Sequence, residues 1–182
     1  ATRMLTSDLA SDNGRNAAAT GSLAAKLLTA EGGARIAMIE TGGWDTHAQQ
    51  RGRLTGQLKG LDAMVGAIRD GLGPLWADTI LVVATEFGRT VKVNGTQGTD
   101  HGTGSLAMLL GGAVNGGRVV ADWPGLGDAA LYEGRDLRPT TGLDTLLSSA
   151  VASHFDLAPT RTAQKLFPDM KSAGMMKDLV RA

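Results

Sequence analysis

Five acid and imidazole side chains stand in three short stretches of this chain, and two Asp–His pairs among them have spacings that suit metal-ion chemistry. Asp45 and His47 lie in Gly42-Gly43-Trp44-Asp45-Thr46-His47, Glu86 opens Glu86-Phe87-Gly88-Arg89-Thr90, and Asp100-His101 sits in Gly98-Thr99-Asp100-His101-Gly102. Carboxylate and neutral imidazole together form a borderline-hard donor set suited to zinc, manganese or iron. An Asp-x-His spacing on a loop entering a helix can direct both side chains to one side. Asp100 and His101 are neighbours, and neighbours on an extended backbone face opposite ways. They serve one ion only across a turn, which Gly98, Gly102 and Gly104 permit. Otherwise they face two ions, or only one of them is a ligand.

Each residue also has a plain structural reading. Asp45 is well placed to cap a helix. His47 fits a surface position, Glu86 can pair with Arg89, and Asp100 is good turn chemistry. His154 falls near a helix C-terminus, where a cation is favourable. Trp44 and Trp123 suit rim or core positions.

The elements that must position these residues follow from periodicity. Residues 1–13 are polar and read as a leader or connector. Residues 15–31 are rich in Ala and Leu, and Ala18, Leu23, Leu27 and Leu28 give helical spacing up to Gly32-Gly33. Arg35 to Glu40 is a short apolar run rich in β-formers and reads as a buried strand. From Thr46 to Leu72 the spacing predicts a long helix, capped by Asp45 or Thr46. Leu54, Leu58, Leu61, Val65, Ile68 and Leu72 fall on one face, with Gln57 and the charged residues mostly elsewhere. Thr79 to Thr85 reads as a strand covered on both faces. Further apolar runs cover Ser105 to Leu110 and Arg118 to Ala121, with Gly111 to Gly117 as a tight connection between two strands. Residues 122–140 read as ordered loop. Leu143 to Phe155 is a helix with Leu143, Leu146, Leu147, Ala150, Val151 and Phe155 inward, and residues 156–170 return to loop. Alternating helices and strands predict an α/β layered fold with a partly parallel sheet, whose strand ends carry the candidate site.

Composition bounds the reading. A chain of 182 residues with 42% hydrophobic content can bury one sizeable core. Zero formal net charge argues against a nucleic-acid partner. No apolar run is long enough for a membrane span. The absence of Cys excludes disulfides, thiolate zinc sites and Cys nucleophiles. Phosphate-loop, dinucleotide, zinc-protease and serine-elbow motifs are absent. Of 26 glycines, 12 fall between Gly88 and Gly134, which directs attention to the loops around the second and third stretches.

The ordered set GGWDTH, TEFGRT, NG…GTDHG, LLGGAVNGGRV and DWPGL resembles a bacterial family of unknown function, numbered 1501, over about residues 15–170. The resemblance places that family in the alkaline-phosphatase and sulfatase-like superfamily. It implies a three-layer α/β/α sandwich with divalent metal at the carboxyl edge of its sheet, and hydrolysis of phosphate or sulfate esters. It implies that Asp45, His47, Glu86, Asp100 and His101 are metal ligands, for zinc first and manganese or calcium as alternatives. Arg89 is the implied oxyanion contact, since its planar fork suits phosphate or sulfate. The nucleophile that the superfamily carries in its N-terminal half has no counterpart here. The expectation is therefore a C-terminal portion (residues 14–170, with a weakly specified tail at 171–182) that partners the N-terminal half of its own chain. The substrate expected is a small-molecule or glycan ester, and the location implied is periplasmic or secreted. The alternatives are a non-catalytic scaffold that binds a partner or glycan through Trp44 and Trp123, or an inactive fragment.

Overall fold

The computed structural model describes residues 2–7, 15–169 and 174–181. The chain divides into two compact units, residues 1–76 with 92–100, and residues 77–91 with 101–182.

The first unit is built on a parallel strand pair and two long helices. β1 (Thr2–Ser7) runs parallel to β2 (Ile36–Thr41), with Thr2 opposite Ile36 and Ser7 opposite Thr41, and β2, expected to be buried, leaves Ile36 52% and Met38 55% exposed. Between them lies α1 (Arg15–Thr29), which packs on both strands and on α2 (Gln50–Leu72). The stretch expected as a leader or connector therefore contributes a strand. A six-residue strand whose partner follows a helix leaves no local signal.

The α2 helix starts four residues later than expected, and its N-cap is Gln49 in the left-handed region (φ 48°) with no side-chain cap. Neither Asp45 nor Thr46 caps it. Its buried row is Gln57, Gly60, Met64, Ile68 and Leu72. Of the expected leucine stripe only Ile68 and Leu72 are buried, and Leu58 is 49% exposed. The seam of α1 explains the rotation: Ala17, Ala24 and Ala25 are its fully buried apolar residues. Such small side chains bring a helix close to whichever face of its neighbour is least bulky.

In the second unit, β3 (Leu81–Val83) pairs antiparallel with β6 (Met108–Leu110). A two-residue ribbon, β4 (Gly88–Arg89) against β5 (His101–Gly102), forms inside the stretch read as glycine-rich loop. Val82 is 36% exposed, so the strand expected to be covered on both faces is not. The run at Arg118 to Ala121 forms no strand, and Val119 is 91% exposed. Gly111 to Gly117 therefore does not join two strands.

The helix α3 (Leu143–His154) buries Thr145, Ser148, Ser149, Ala150 and Ala152 rather than its leucines. The two serines can be buried because their hydroxyls donate to carbonyls one turn back, Ser148 to Asp144 and Ser149 to Thr145, each at 2.6 Å. Residues expected as loop contain α4 (Pro159–Leu166), which starts on a proline at its first turn and packs on α3. In the tail, Leu179 is buried and Val180 bridges Val114.

The fold is thus mixed α/β, with three two-stranded sheets among the described residues, one parallel and two antiparallel. No helix among them is long and apolar enough to cross a membrane.

Candidate metal centre

The segment after β2 turns at Gly42-Gly43 and delivers Trp44, Asp45, Thr46 and His47 before α2 begins. Gly43 has φ +86°, and a Cβ there would overlap the Gln57 side-chain amide. The Trp44 indole N–H donates to Thr41 Oγ1 at 3.0 Å, which ties the turn to the end of its strand.

Residues 92–100 fold over this segment. A Cβ at Gly98 would overlap the His47 carbonyl, so the two backbones meet directly. Asn94 organises the loop. Its Oδ1 accepts from the Thr96 and Gly98 amides, both at 3.0 Å, and its Nδ2 donates to the His47 carbonyl at 2.9 Å. The Thr96 hydroxyl donates to that same carbonyl at 2.6 Å. The Gln50 amide bonds both Thr46 Oγ1 (3.0 Å) and Thr99 Oγ1 (2.9 Å). Thr46 is 1% exposed, which makes it the buried anchor between two more exposed functional neighbours.

The result is a line of three side chains. His47 Nε2 lies 3.0 Å from Asp45 Oδ1, and His47 Nδ1 lies 3.1 Å from Asp100 Oδ1. Asn94 Nδ2 donates to that same Asp100 oxygen at 3.0 Å. All three side chains stay open to solvent, at 44% for His47, 61% for Asp45 and 56% for Asp100.

The chemistry of this line is constrained by proton count. A neutral imidazole has one N–H and one lone pair. Two carboxylates facing its two nitrogens leave one contact as lone pair against lone pair. A cation beside the bare nitrogen would resolve this. Asp100 Oδ1 is already engaged by Asn94, which suits it to receive Nδ1–H and leave Nε2 bare beside Asp45. The 3.0 Å between Nε2 and Asp45 is close to the roughly 3.3 Å edge of a tetrahedral shell with bonds of about 2.0 Å. The donor set fits a divalent cation held by Asp45 and His47, with Asp100 behind the ring as its orienting carboxylate.

The second unit holds the other expected residues. Arg89 and His101 are directly opposed across the β4–β5 ribbon. The His101 ring packs against Phe87, tilted by 40° with centroids 4.3 Å apart, and the Arg89 guanidinium lies 6.0 Å from the centre of the Phe87 ring. Glu86 is exposed and accepts from the Thr85 hydroxyl at 3.2 Å.

The ribbon is held from outside by Asp136. This side chain is 2% exposed, receives the Thr103 hydroxyl at 3.0 Å, and its residue bridges Thr90. Arg135 Nε approaches Asp136 Oδ1 to 2.8 Å as an ion pair. The N–H is not aligned for a hydrogen bond, so that oxygen keeps an unfilled acceptor position.

Sequence reasoning therefore isolates Asp45, His47 and Asp100, which the first unit brings together, and misses Asn94, Gln57 and Asp136. Asn94-Gly95 carries a turn signal that could have marked the first of these. A lone Gln on a helix and a lone Asp in a loop carry none.

No curated protein and no solved structure matches the chain. One family does: the sequence model described as "Protein of unknown function (DUF1501)" matches residues 2–158. By that match the chain belongs to the DUF1501 family.

Proposed function

We propose that this chain carries the metal-binding part of a divalent-metal-dependent hydrolase of phosphate or sulfate esters, related to the alkaline-phosphatase and sulfatase-like enzymes and built on their three-layer α/β/α plan. The observation that carries the reading is His47 held between Asp45 and Asp100, because a metal resolves its proton count and a carboxylate behind the ring fixes the tautomer. Asp45 Oδ1 and His47 Nε2 would hold the ion, with zinc the first choice for this donor set and manganese or calcium as alternatives.

A bound divalent ion supplies Lewis-acid stabilisation of charge on the ester group. The chain's own residues do the rest. Asp100 keeps the Nδ1 proton in place, and Asn94 keeps Asp100 from rotating away. In the second unit Arg89 offers a planar cation for an oxyanion, while Glu86 and His101 are the remaining donors that the resemblance assigns. A periplasmic or secreted location belongs to the same proposal, on the resemblance alone.

A screen with aryl phosphates, phosphodiesters and aryl sulfates, with added zinc, manganese or calcium, tests the reading. Turnover that is lost on chelation and restored by metal is the expected result. Zinc-loaded, folded full-length protein, with the N-terminal half present, that turns over none of the three classes would overturn it. A binding role has its own support: Val119, Val120, Trp123 and Leu126 are all exposed within eight residues of chain, and large exposed apolar side chains suit a partner or glycan surface.

A further inference from the structure

We propose that Gln57 is a positioning residue for the Asp45–His47 pair, a role that rests on the metal-centre reading above. Gln57 lies two turns into α2 and is 4% exposed, although it is polar and belongs to the row that faces the core. Its Nε2 donates to the Gly42 carbonyl at 3.1 Å. Its Oε1 is buried with no hydrogen-bond partner. Turning the amide over would set Oε1 against the Gly42 carbonyl oxygen, so the hydrogen bond fixes the orientation.

The unfilled acceptor is a desolvation cost that an apolar side chain of similar length would not incur. Packing alone would thus be served as well by Met. What Gln57 adds is the donor that reaches Gly42, and an amide that fills the space beside Gly43 where any Cβ would sit. Gly43 is two residues before Asp45 and four before His47. Gln57 therefore fixes the backbone from which both ligands project, from the rigid interior of a 23-residue helix.

The test compares Q57M and Q57E with the unaltered chain, by calorimetric titration with zinc chloride, thermal melting, and hydrogen exchange of the Gly43–His47 amides. Q57M removes the donor and the orphaned acceptor together. Its melting temperature is expected to hold or rise while zinc affinity falls about tenfold. Q57E keeps the volume and, when ionised, has no donor for the Gly42 carbonyl; read at a pH where that carboxyl is ionised, it carries the test if Q57M does not fold. Exchange at Gly43–His47 is expected to quicken in both. Unchanged zinc affinity in both variants, or affinity and melting temperature falling in parallel, would overturn the positioning role. If the unaltered chain binds no zinc, the metal reading fails, and the exchange comparison still decides the role of Gln57. Equal exchange rates would then refute it.

Discussion

His47 Nδ1 and Asp100 Oδ1 lie 3.1 Å apart although 53 residues separate them in the chain. The loop that closes this distance is held by Asn94, and the helix that follows His47 is entered through backbone bonds to the same loop. The Gln49 amide donates to Thr96 O at 3.0 Å, and the Gln50 amide to Gln97 O at 2.9 Å. The helix start and the loop are thus one assembly, and His47 stands at their junction.

If Asp100 orients His47 without binding metal itself, D100N is expected to lower zinc affinity by about 10- to 100-fold, the usual cost of losing an outer-shell partner. D45A and H47A, which remove ligands, should cost more. Titration calorimetry gives the order directly. D100N weaker than D45A would show that Asp100 is the ligand instead.

Asn94 satisfies two loop amides and two site oxygens at once. N94A should therefore lower both stability and zinc affinity. Leaving the Thr96 and Gly98 amides without their acceptor costs on the order of 1–3 kcal/mol where water cannot replace it. Urea unfolding measures the first effect and zinc titration the second. A change in neither would mean that the loop holds itself.

Neighbouring glycines make opposite predictions. G43A meets a left-handed backbone and the Gln57 amide, and should destabilise by about 1–3 kcal/mol. G42A has open space around its Cβ and no positive φ. It should be neutral or stabilising by up to about 1 kcal/mol. Urea midpoints for the two variants give the sign of each.

The ledger for Asp136 turns on its exposed partner. R135A leaves a buried carboxylate with the Thr103 hydroxyl, and should destabilise the second unit. Because Arg135 is 58% exposed, the expected loss is about 1–3 kcal/mol rather than the 3–5 typical of fully buried pairs. R135K keeps the charge without the fork and should fall between R135A and the unaltered chain in a denaturant melt.

Much of the helical architecture was legible, because α1, α2 and α3 each carry sustained 3.6-residue periodicity. Their inward faces were less so. In α3 the buried residues are Thr145, Ser148 and Ser149, which hydropathy places outside a core, and only their bonds to the preceding turn make burial affordable. The short strands β4 and β5 were invisible, since two residues hold no period. At the site, Asp45, His47 and Asp100 were identifiable from residue type alone. Their division of labour was not, because it depends on which ring nitrogen faces which carboxylate. The spacing puts Gln57 off the apolar face, and its burial goes with its bond to the Gly42-Gly43 turn, which no spacing rule encodes.

The proposed metal centre has His47 bind the ion through Nε2 while Nδ1 keeps its proton for Asp100. Long-range proton–nitrogen NMR of the protein during zinc titration reads both nitrogens, with H101A and H154A used to assign the His47 signals. The expected result is that the Nε2 resonance moves to a metal-bound position and that Nδ1 remains protonated. Zinc shifting Nδ1 instead, or moving neither nitrogen of His47, would contradict it.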